Sequence, residues 1–290
     1  MQRRNQKLVE EAPATKLTPR LRRRICNLAL KLAKRIGYTN AGTIEFLLSP
    51  DGQLYFLEMN TRLQVEHGVT ELITGVDLVE LQIRVAAGEP LPLTQKDIKP
   101  HGHAIEVRIY PEDPETLIPD VGTITELHQP SGEHIRVDSA LFKGYDVTLH
   151  YEPLLAKVMA WGETREEASQ RLLRALLAFR MEGIKCNIPL LRDVLVSKDF
   201  ASATHDTSSL ARLLEGRKND RHQLAAGRLM NGSRPEKADR EIAAAIGVAL
   251  ALAMQHSQTP ATQMAAASSW RVYGRREQIF SSILRNRGWR

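Results

Sequence analysis

The chain has 290 residues, 42% hydrophobic and 26% charged, the make-up of an ordinary globular protein with room for two cores. Only 5% are aromatic, too few for the stacking platforms that single-stranded nucleic acids require. The net charge of +6 gathers in QRRNQK, in LRRR at 21–24 and in the closing RNRGWR, and it suits phosphate or bicarbonate as readily as a solvated surface. Neither a nucleic-acid partner nor a membrane partner is expected. The most apolar run, Ile242–Met254, is shorter than the about 20 residues that cross a bilayer.

The opening MQRRNQKLVEEAP lacks an apolar core and soon meets Glu10-Glu11, so no targeting segment is visible. A cytoplasmic location is expected, or the mitochondrial matrix if the source is eukaryotic. Cys26 and Cys186 stand far apart and outside any C-x-x-C unit, and they are expected to be reduced and buried.

In chain order, QKLVEEAP reads as the end of a strand entering a loop, as if the chain started in mid-domain. Thr18 and Pro19 then open a helix with Leu21, Ile25, Leu28, Leu32 and Ile36 at helical spacing and Gly37 as its stop. TIEFLL and QLYFLEMN follow as two strands around Asp51-Gly52, a strong hairpin signal. With Asp51 and Gly52 as the two turn residues, Pro50 pairs with Gln53, and counting outward sets Glu45 opposite Glu58. Directly opposed side chains have Cβ atoms roughly 4.5–5.5 Å apart, and two carboxylates there need a shared proton or a cation. Asn60 lies on the same face, completing a hard oxygen set suited to Mg²⁺. The alternation continues through Arg62, Gln64 and Glu66, so a single polar face is expected from Glu58 to Glu66.

Asp77 and Glu80 form a capping-box start for a helix ending at Gly88. Glu89–Gly102, with three prolines, reads as a linker between a first domain (1–88) and a second (103–215). HAIEVRIYPE, GTITELHQP, HIRVDSAL and LLAKVMAWG read as four strands of a meandering sheet, with Arg108 alternating with Glu106 as an exposed ion-pair candidate. Thr164 and Glu167 cap a helix that buries Ala168, Leu172, Ala175, Leu176 and Phe179. Ile188–Val196 and Ser208–Leu214 suggest shorter helices, Gly216–Arg240 a polar mobile linker, and 241–290 an Ala-rich helix followed by SSWRVYGRRE. There are no internal repeats. The class is α+β, a sheet with helices grouped after it.

GTIEFL, FLEMNTRLQVEH, VTELITGVDLVELQIRVAAGEPL, GHAIEVRIYPEDP and EGIKCNIPLL, in this order, resemble the biotin carboxylase family of ATP-grasp ligases. These are the biotin-carboxylating subunits or domains of acetyl-, propionyl- and methylcrotonyl-CoA and pyruvate carboxylases. The resemblance covers roughly residues 2–214. It implies the C-terminal half of an ATP-grasp domain followed by the biotin carboxylase C-terminal domain. It also implies ATP, Mg²⁺ or Mn²⁺, and biotin on a carrier as cofactors and substrates. The partners it implies are a biotin carboxyl carrier, a carboxyltransferase, the missing N-terminal half and a second copy in a homodimer. SSWRVYGRRE is similar to the segment leading toward a carrier domain in fused subunits.

The resemblance also implies roles for particular residues. Glu45, Glu58 and Asn60 match the metal positions, Arg62, Gln64 and Val65 the surroundings of bicarbonate, and Glu66 the general base that deprotonates it. Lys7 matches a lysine facing bicarbonate and carboxyphosphate, Arg108 the arginine that stabilises the enolate-like ureido oxygen of biotin, and Gln2 and Leu47 adenosine-side positions. The chain departs from the family pattern at Asn5, where His is usual, at Gly68, where Pro is usual and whose replacement should loosen the loop carrying Glu66, and at Glu152, where Asp is usual. No glycine-rich run is present to cover phosphates. Two other readings remain open: a non-catalytic dimerisation or carrier-docking module, and a different ATP-grasp ligase.

Overall fold

The computed structural model describes residues 1–3 and 6–230, with side chains through 219. Its first elements are the short strands β1 (Gln2–Arg3), β2 (Gln6–Lys7) and β3 (Val9–Ala12). Helix α1 (Pro19–Arg35) begins where Thr18 accepts a hydrogen bond from the Leu21 N–H. Its polypeptide turns away at Gly37, whose φ of +63° suits a residue without a Cβ. No residue of α1 is buried, and Leu28 and Ile36 on its apolar side are exposed. Cys26 is therefore exposed rather than buried, because no element among the described residues covers that face; Cys186 is partly buried, and both thiols are free.

Strands β4 (Thr43–Leu48) and β5 (Leu54–Asn60) form an isolated hairpin. Its loop differs from the expected two-residue turn. The Ser49 N–H donates to Gln53 O, and the Gly52 N–H donates to Ser49 O. Pro50, Asp51 and Gly52 thus make a three-residue loop with Gly52 at φ +81°, and Leu48 pairs with Leu54. The register then slips by one between Phe46 and Glu45, with Leu57 as the extra residue, and Glu45 faces Glu58 as expected.

Beyond Asn60 the ladder stops, because Thr43, its partner, is the first residue of β4. Residues 61–66 are irregular, so the single polar face expected as far as Glu66 does not exist: Arg62 is exposed and Gln64 buried. Two helices follow, α2 (His67–Thr74) and α3 (Leu78–Ala86), the second capped by Asp77 through the Glu80 N–H.

The remaining strands are β6 (His103–Ile109), β7 (Gly122–Thr123), β8 (Glu126–His128), β9 (Ile135–Ser139), β10 (Asp146–Val147), β11 (Ala156–Gly162) and β12 (Arg180–Glu182). Helices α4 (Arg165–Ala178), α5 (Ile188–Val196), α6 (Lys198–Ala201) and α7 (Ser209–Met230) complete the described chain. The central sheet has the order β3-β6-β11-β9, all antiparallel. It is not a meander: β11, last in sequence, lies between β6 and β9, and β3 comes from before the Glu89–Gly102 segment.

Helices cover both faces of this sheet. Ile105, Val107 and Ile109 of β6 join Val158 and Ala160 of β11 in a core with Ala168, Leu172, Ala175 and Leu176 of α4. On the opposite face Ala104 meets Val69 and Ile73 of α2, with Ala12, Leu72 and Trp161 around them. All seven residues of β6 are consequently buried, including Glu106 and Arg108, which alternation alone marked as exposed.

Thr164 caps α4 through the Glu167 N–H. Helix α7 continues to Met230 through much of the segment expected as a polar linker, in keeping with its Leu, Ala, Gln, Lys and Arg content. Residues Met1–Arg221 form one compact unit. The Ala-rich helix and SSWRVYGRRE expected at 241–290 lie outside the described residues, as does Asn5. Among the described residues no helix is long and apolar enough to cross a membrane.

Candidate functional site

The hairpin and the central sheet bring their charged residues to one place. Lys7, on β2, directs Nζ to Glu45 Oε1 at 2.7 Å and to Glu66 Oε1 at 2.5 Å. Asn60 donates its amide to Glu45 Oε1 at 3.2 Å and to Glu58 Oε1 at 3.0 Å. The other carboxylate oxygen of Glu66 accepts from Arg108 Nη2 at 2.8 Å. Lys7, Glu45, Glu58, Asn60, Glu66 and Arg108 are thus joined by direct hydrogen bonds.

The remaining sequence candidates surround this cluster. Gln2 is the cross-strand neighbour of Lys7. Arg62 is exposed and places Nη2 3.4 Å from Asn60 Oδ1. Gln64 is buried, its Nε2 has no hydrogen-bond partner among the described residues, and its carbonyl accepts from His67. The Val65 carbonyl accepts from Lys157 Nζ at 2.8 Å, which anchors the turn that carries Glu66 to β11. Leu47 is half-exposed on β4, two residues from Glu45 and on the same face.

Burial alone would raise the Glu66 pKa. Its hydrogen bond from Lys7 and the positive charges of Lys7 and Arg108 outweigh that effect and hold the carboxyl below its ordinary value. Burial would lower the Lys7 pKa, but its two carboxylate partners raise it. The site therefore keeps an ionised carboxylate next to two cations, an arrangement able to stabilise developing negative charge.

The donor set of Glu45, Glu58 and Asn60 fits a divalent cation. Glu45 and Glu58 are adjacent across the hairpin and exposed Glu58 leaves the cluster open on one side, while Asn60, whose amide nitrogen faces both carboxylates, would offer its oxygen once the amide is turned over. Like charges held this close are offset here by Lys7 and by the Asn60 amide. A divalent cation held there would take over that role.

Several charged residues at the site were not among the sequence candidates. Glu10 places Oε1 2.5 Å from Arg108 Nη2, Lys157 pairs with Asp138 at 3.0 Å, and Arg136 joins Asp138 at 2.7 Å to Glu71 at 2.6 Å. Only the sheet order β3-β6-β11-β9, with α2 laid on its face, brings them together. A local signal existed only for Arg136 and Asp138, charged residues two apart in the otherwise apolar IRVDS. Gly68 also has a packing reason. It is buried at the start of α2, and a Cβ there would come within 2.2 Å of Met159 Sδ, so glycine admits a close approach of the turn to β11.

The chain matches two domain families in succession. Residues 1–94 match the carbamoyl-phosphate synthase L chain ATP binding domain, and residues 106–212 match the biotin carboxylase C-terminal domain. It is 52% identical over 210 residues to biotin carboxylase 2 of Bacillus subtilis, covering 72% of this chain and 47% of that protein. It is 43% identical over 213 residues to the mitochondrial propionyl-CoA carboxylase alpha chain of Caenorhabditis elegans, covering 72% and 29%. The biotin carboxylase domain dimer of Hydrogenobacter thermophilus 2-oxoglutarate carboxylase, solved with MgADP, ADP and bicarbonate, superposes with a TM-score of 0.72. That match has 47% identity and covers 74% of this chain and 48% of that one. The fold and site thus define an ATP-grasp segment joined to a biotin carboxylase C-terminal domain. The chain belongs to the biotin carboxylase family, and it spans about half the length of the bacterial biotin carboxylases it matches and less of the propionyl-CoA carboxylase chain.

Proposed function

We propose that this chain supplies the bicarbonate- and biotin-facing part of a biotin carboxylase site. The reaction is cleavage of MgATP with bicarbonate to form carboxyphosphate, followed by carboxyl transfer to the ureido nitrogen of carrier-bound biotin. The observation that carries this reading is the bridge of Lys7 between Glu45 and Glu66, with Arg108 on the far side of Glu66. One carboxylate of that bridge belongs to the oxygen set and the other is the ionised base, so a single ammonium spans both halves of the chemistry.

In this reading Glu66 takes the bicarbonate proton, and Lys7 neutralises the charge that develops next to it. Arg62 and Gln64 flank the same turn and orient the bicarbonate oxygens; the orphaned Gln64 amide is a ready donor. Glu45, Glu58 and Asn60 would hold the Mg²⁺, which when bound neutralises phosphate charge during phosphoryl transfer. Arg108 then faces the ureido oxygen of biotin. Gln2 and Leu47 lie toward the adenosine.

The exposed apolar residues Tyr55, Phe56 and Leu57 of the hairpin, with Leu28 of α1 and Ile36 just past its end, favour a covering partner. The N-terminal half of a biotin carboxylase fits that place and brings the phosphate-covering loop. The chain by itself is then inactive or nearly so, since positioning phosphates supplies most of phosphoryl-transfer catalysis. The test is biotin-dependent ATP cleavage by the chain mixed with the N-terminal half of a relative. Activity that needs both pieces and vanishes in Glu66→Gln is the expected result. Failure of any such mixture to carboxylate free biotin, with both pieces folded, overturns the reading.

A further inference from the structure

Beneath this site a second pair of carboxylates is opposed, and it is buried. Glu10 of β3 and Glu106 of β6 are direct cross-strand partners on the α2 face of the sheet. Glu106 has no exposed surface, and neither of its oxygens has a hydrogen-bond partner among the described residues. Glu10 keeps only 9% of its side chain exposed and lies 2.5 Å from Arg108 Nη2. That same nitrogen is 2.8 Å from Glu66 Oε2. Two acids, Glu10 and Glu66, therefore share one guanidinium nitrogen, and a third, Glu106, lies behind them.

The charged groups around Glu106 are few. Glu10 faces it from β3, Arg108 adjoins it on its own strand, Lys157 faces it from β11, and Glu66 acts from the turn before α2. Lys157 is committed to the Val65 carbonyl and to Asp138. Met159, directly opposite on β11, and the Cα of Gly68 close the remaining space with apolar matter. Two carboxylates sharing a dry site do not both ionise. Burial first, then the charge of Glu10, push the Glu106 carboxyl up to about 8, with Lys157 and Arg108 opposing. Burial also raises Glu10, and Arg108 works against it.

We propose that Glu10 and Glu106 hold one proton between them, resident on Glu106, and that ionised Glu10 is a positioning residue that draws Arg108 partly away from Glu66. With the proton on Glu106, Glu10 can remain charged and take a share of the arginine. Glu66 is then a stronger base than an undivided Arg108 would leave it. When Glu66 takes up a proton, its hold on Arg108 weakens, Glu10 keeps the guanidinium in place, and the arginine becomes free for a new oxyanion. The catalytic consequence rests on the function proposed above; the shared proton and the divided arginine do not.

The experiment is a carboxyl ¹³C NMR titration of the purified chain carrying ¹³C-labelled glutamate, with signals assigned by Glu10→Gln, Glu66→Gln and Glu106→Gln. One carboxyl is expected to remain protonated at neutral pH and to disappear in Glu106→Gln. The Glu66 midpoint is expected to fall by about one pH unit in Glu10→Gln, where Arg108 is undivided, and to stay put in Glu106→Gln. Ionisation of every glutamate below pH 6 in the unmodified chain overturns the proposal without recourse to any variant. So does a Glu66 midpoint that rises or stays fixed in folded Glu10→Gln. If the titrations behave as expected while ATP cleavage fails in the reconstituted enzyme, the functional reading falls and the carboxylate pair stands.

Discussion

Lys7 Nζ lies 2.5 Å from Glu66 Oε1, joining a strand at the start of the chain to a turn 59 residues away. The same atom reaches Glu45 Oε1 at 2.7 Å, so the hairpin and the turn before α2 meet on one ammonium group. Replacing Lys7 with Met leaves two carboxylates facing each other without their cation. The Glu66 pKa then rises, because Lys7 is the first of the groups that hold it down against burial. In the reconstituted enzyme, bicarbonate-dependent ATP cleavage is expected to fall by about 10²-fold or more, the usual cost of losing one fixed group that stabilises developing charge. Lys7→Arg keeps the charge and recovers part of the rate. Steady-state rates across pH check both statements, and an unchanged rate in Lys7→Met removes Lys7 from the chemistry.

Glu11 ties three elements together in the interior. It accepts from His103 Nε2 at 2.9 Å and Arg165 Nε at 2.6 Å, and it lies 3.4 Å from His205 Nε2. Burial raises its pKa, but these donors prevail and bring it from 4.5 to about 2. Between those values the unfolded chain binds more protons than the folded one. The contribution of Glu11 to stability is therefore complete above pH 4.5 and is lost as pH falls toward 2. Urea unfolding followed from pH 5 to pH 2.5 should show a steep loss, and Glu11→Gln should flatten it while lowering stability at pH 5.

Glu106 acts in the opposite direction. Its folded pKa, about 8, lies above its ordinary 4.5, so here the folded chain binds the extra proton. That contribution is complete below pH 4.5 and is lost as pH rises through 8. Unfolding free energy is expected to decline from pH 5 to pH 8.5. Glu106→Gln, a permanent copy of the protonated form, should abolish most of the decline. Parallel curves for the two proteins over that range would show that Glu106 is ionised throughout.

How much of this was legible in the sequence depends on the range of the interaction. The pairing of Glu45 with Glu58 came from counting outward through a two-residue turn. The actual loop has three residues, and the bulge at Leu57 restores the count, so two local offsets cancel. The strands of the central sheet were visible from their apolar period, but their order was not, since nothing local says that β11 inserts between β6 and β9. Helix α2 was missed because Val69, Thr70, Ile73 and Thr74 are β-branched and favour strands. It is helical because Val69 and Ile73 find Ala104 on the sheet. Its presence buries Glu106 and Arg108, whose alternation would otherwise describe a half-exposed strand. Glu10, 96 residues from Glu106, could be recognised as its partner only once β3 was placed beside β6.

Asn187 holds the strand that carries Arg108, and it does so through that strand's backbone. It is fully buried before α5. Its Oδ1 accepts from the Tyr110 N–H at 2.9 Å, its Nδ2 donates to the Arg108 carbonyl at 3.1 Å, and its own N–H donates to Tyr110 O at 3.1 Å. The side chain thus completes the backbone hydrogen bonding of β6 where the strand ends. Asn187→Ala leaves a buried N–H and a buried carbonyl without partners and should cost about 2 kcal/mol. Each such kcal/mol lowers Tm by roughly 2–4 °C in a domain of this size. Asn187→Asp keeps the acceptor for Tyr110 but turns a donor into a second acceptor against the Arg108 carbonyl, so it should be no milder than Asn187→Ala. Thermal and urea unfolding of the three proteins decide the order. A loss below about 0.5 kcal/mol in Asn187→Ala, the range of ordinary surface changes, would mean that water replaces the side chain and that β6 is held by its neighbours alone.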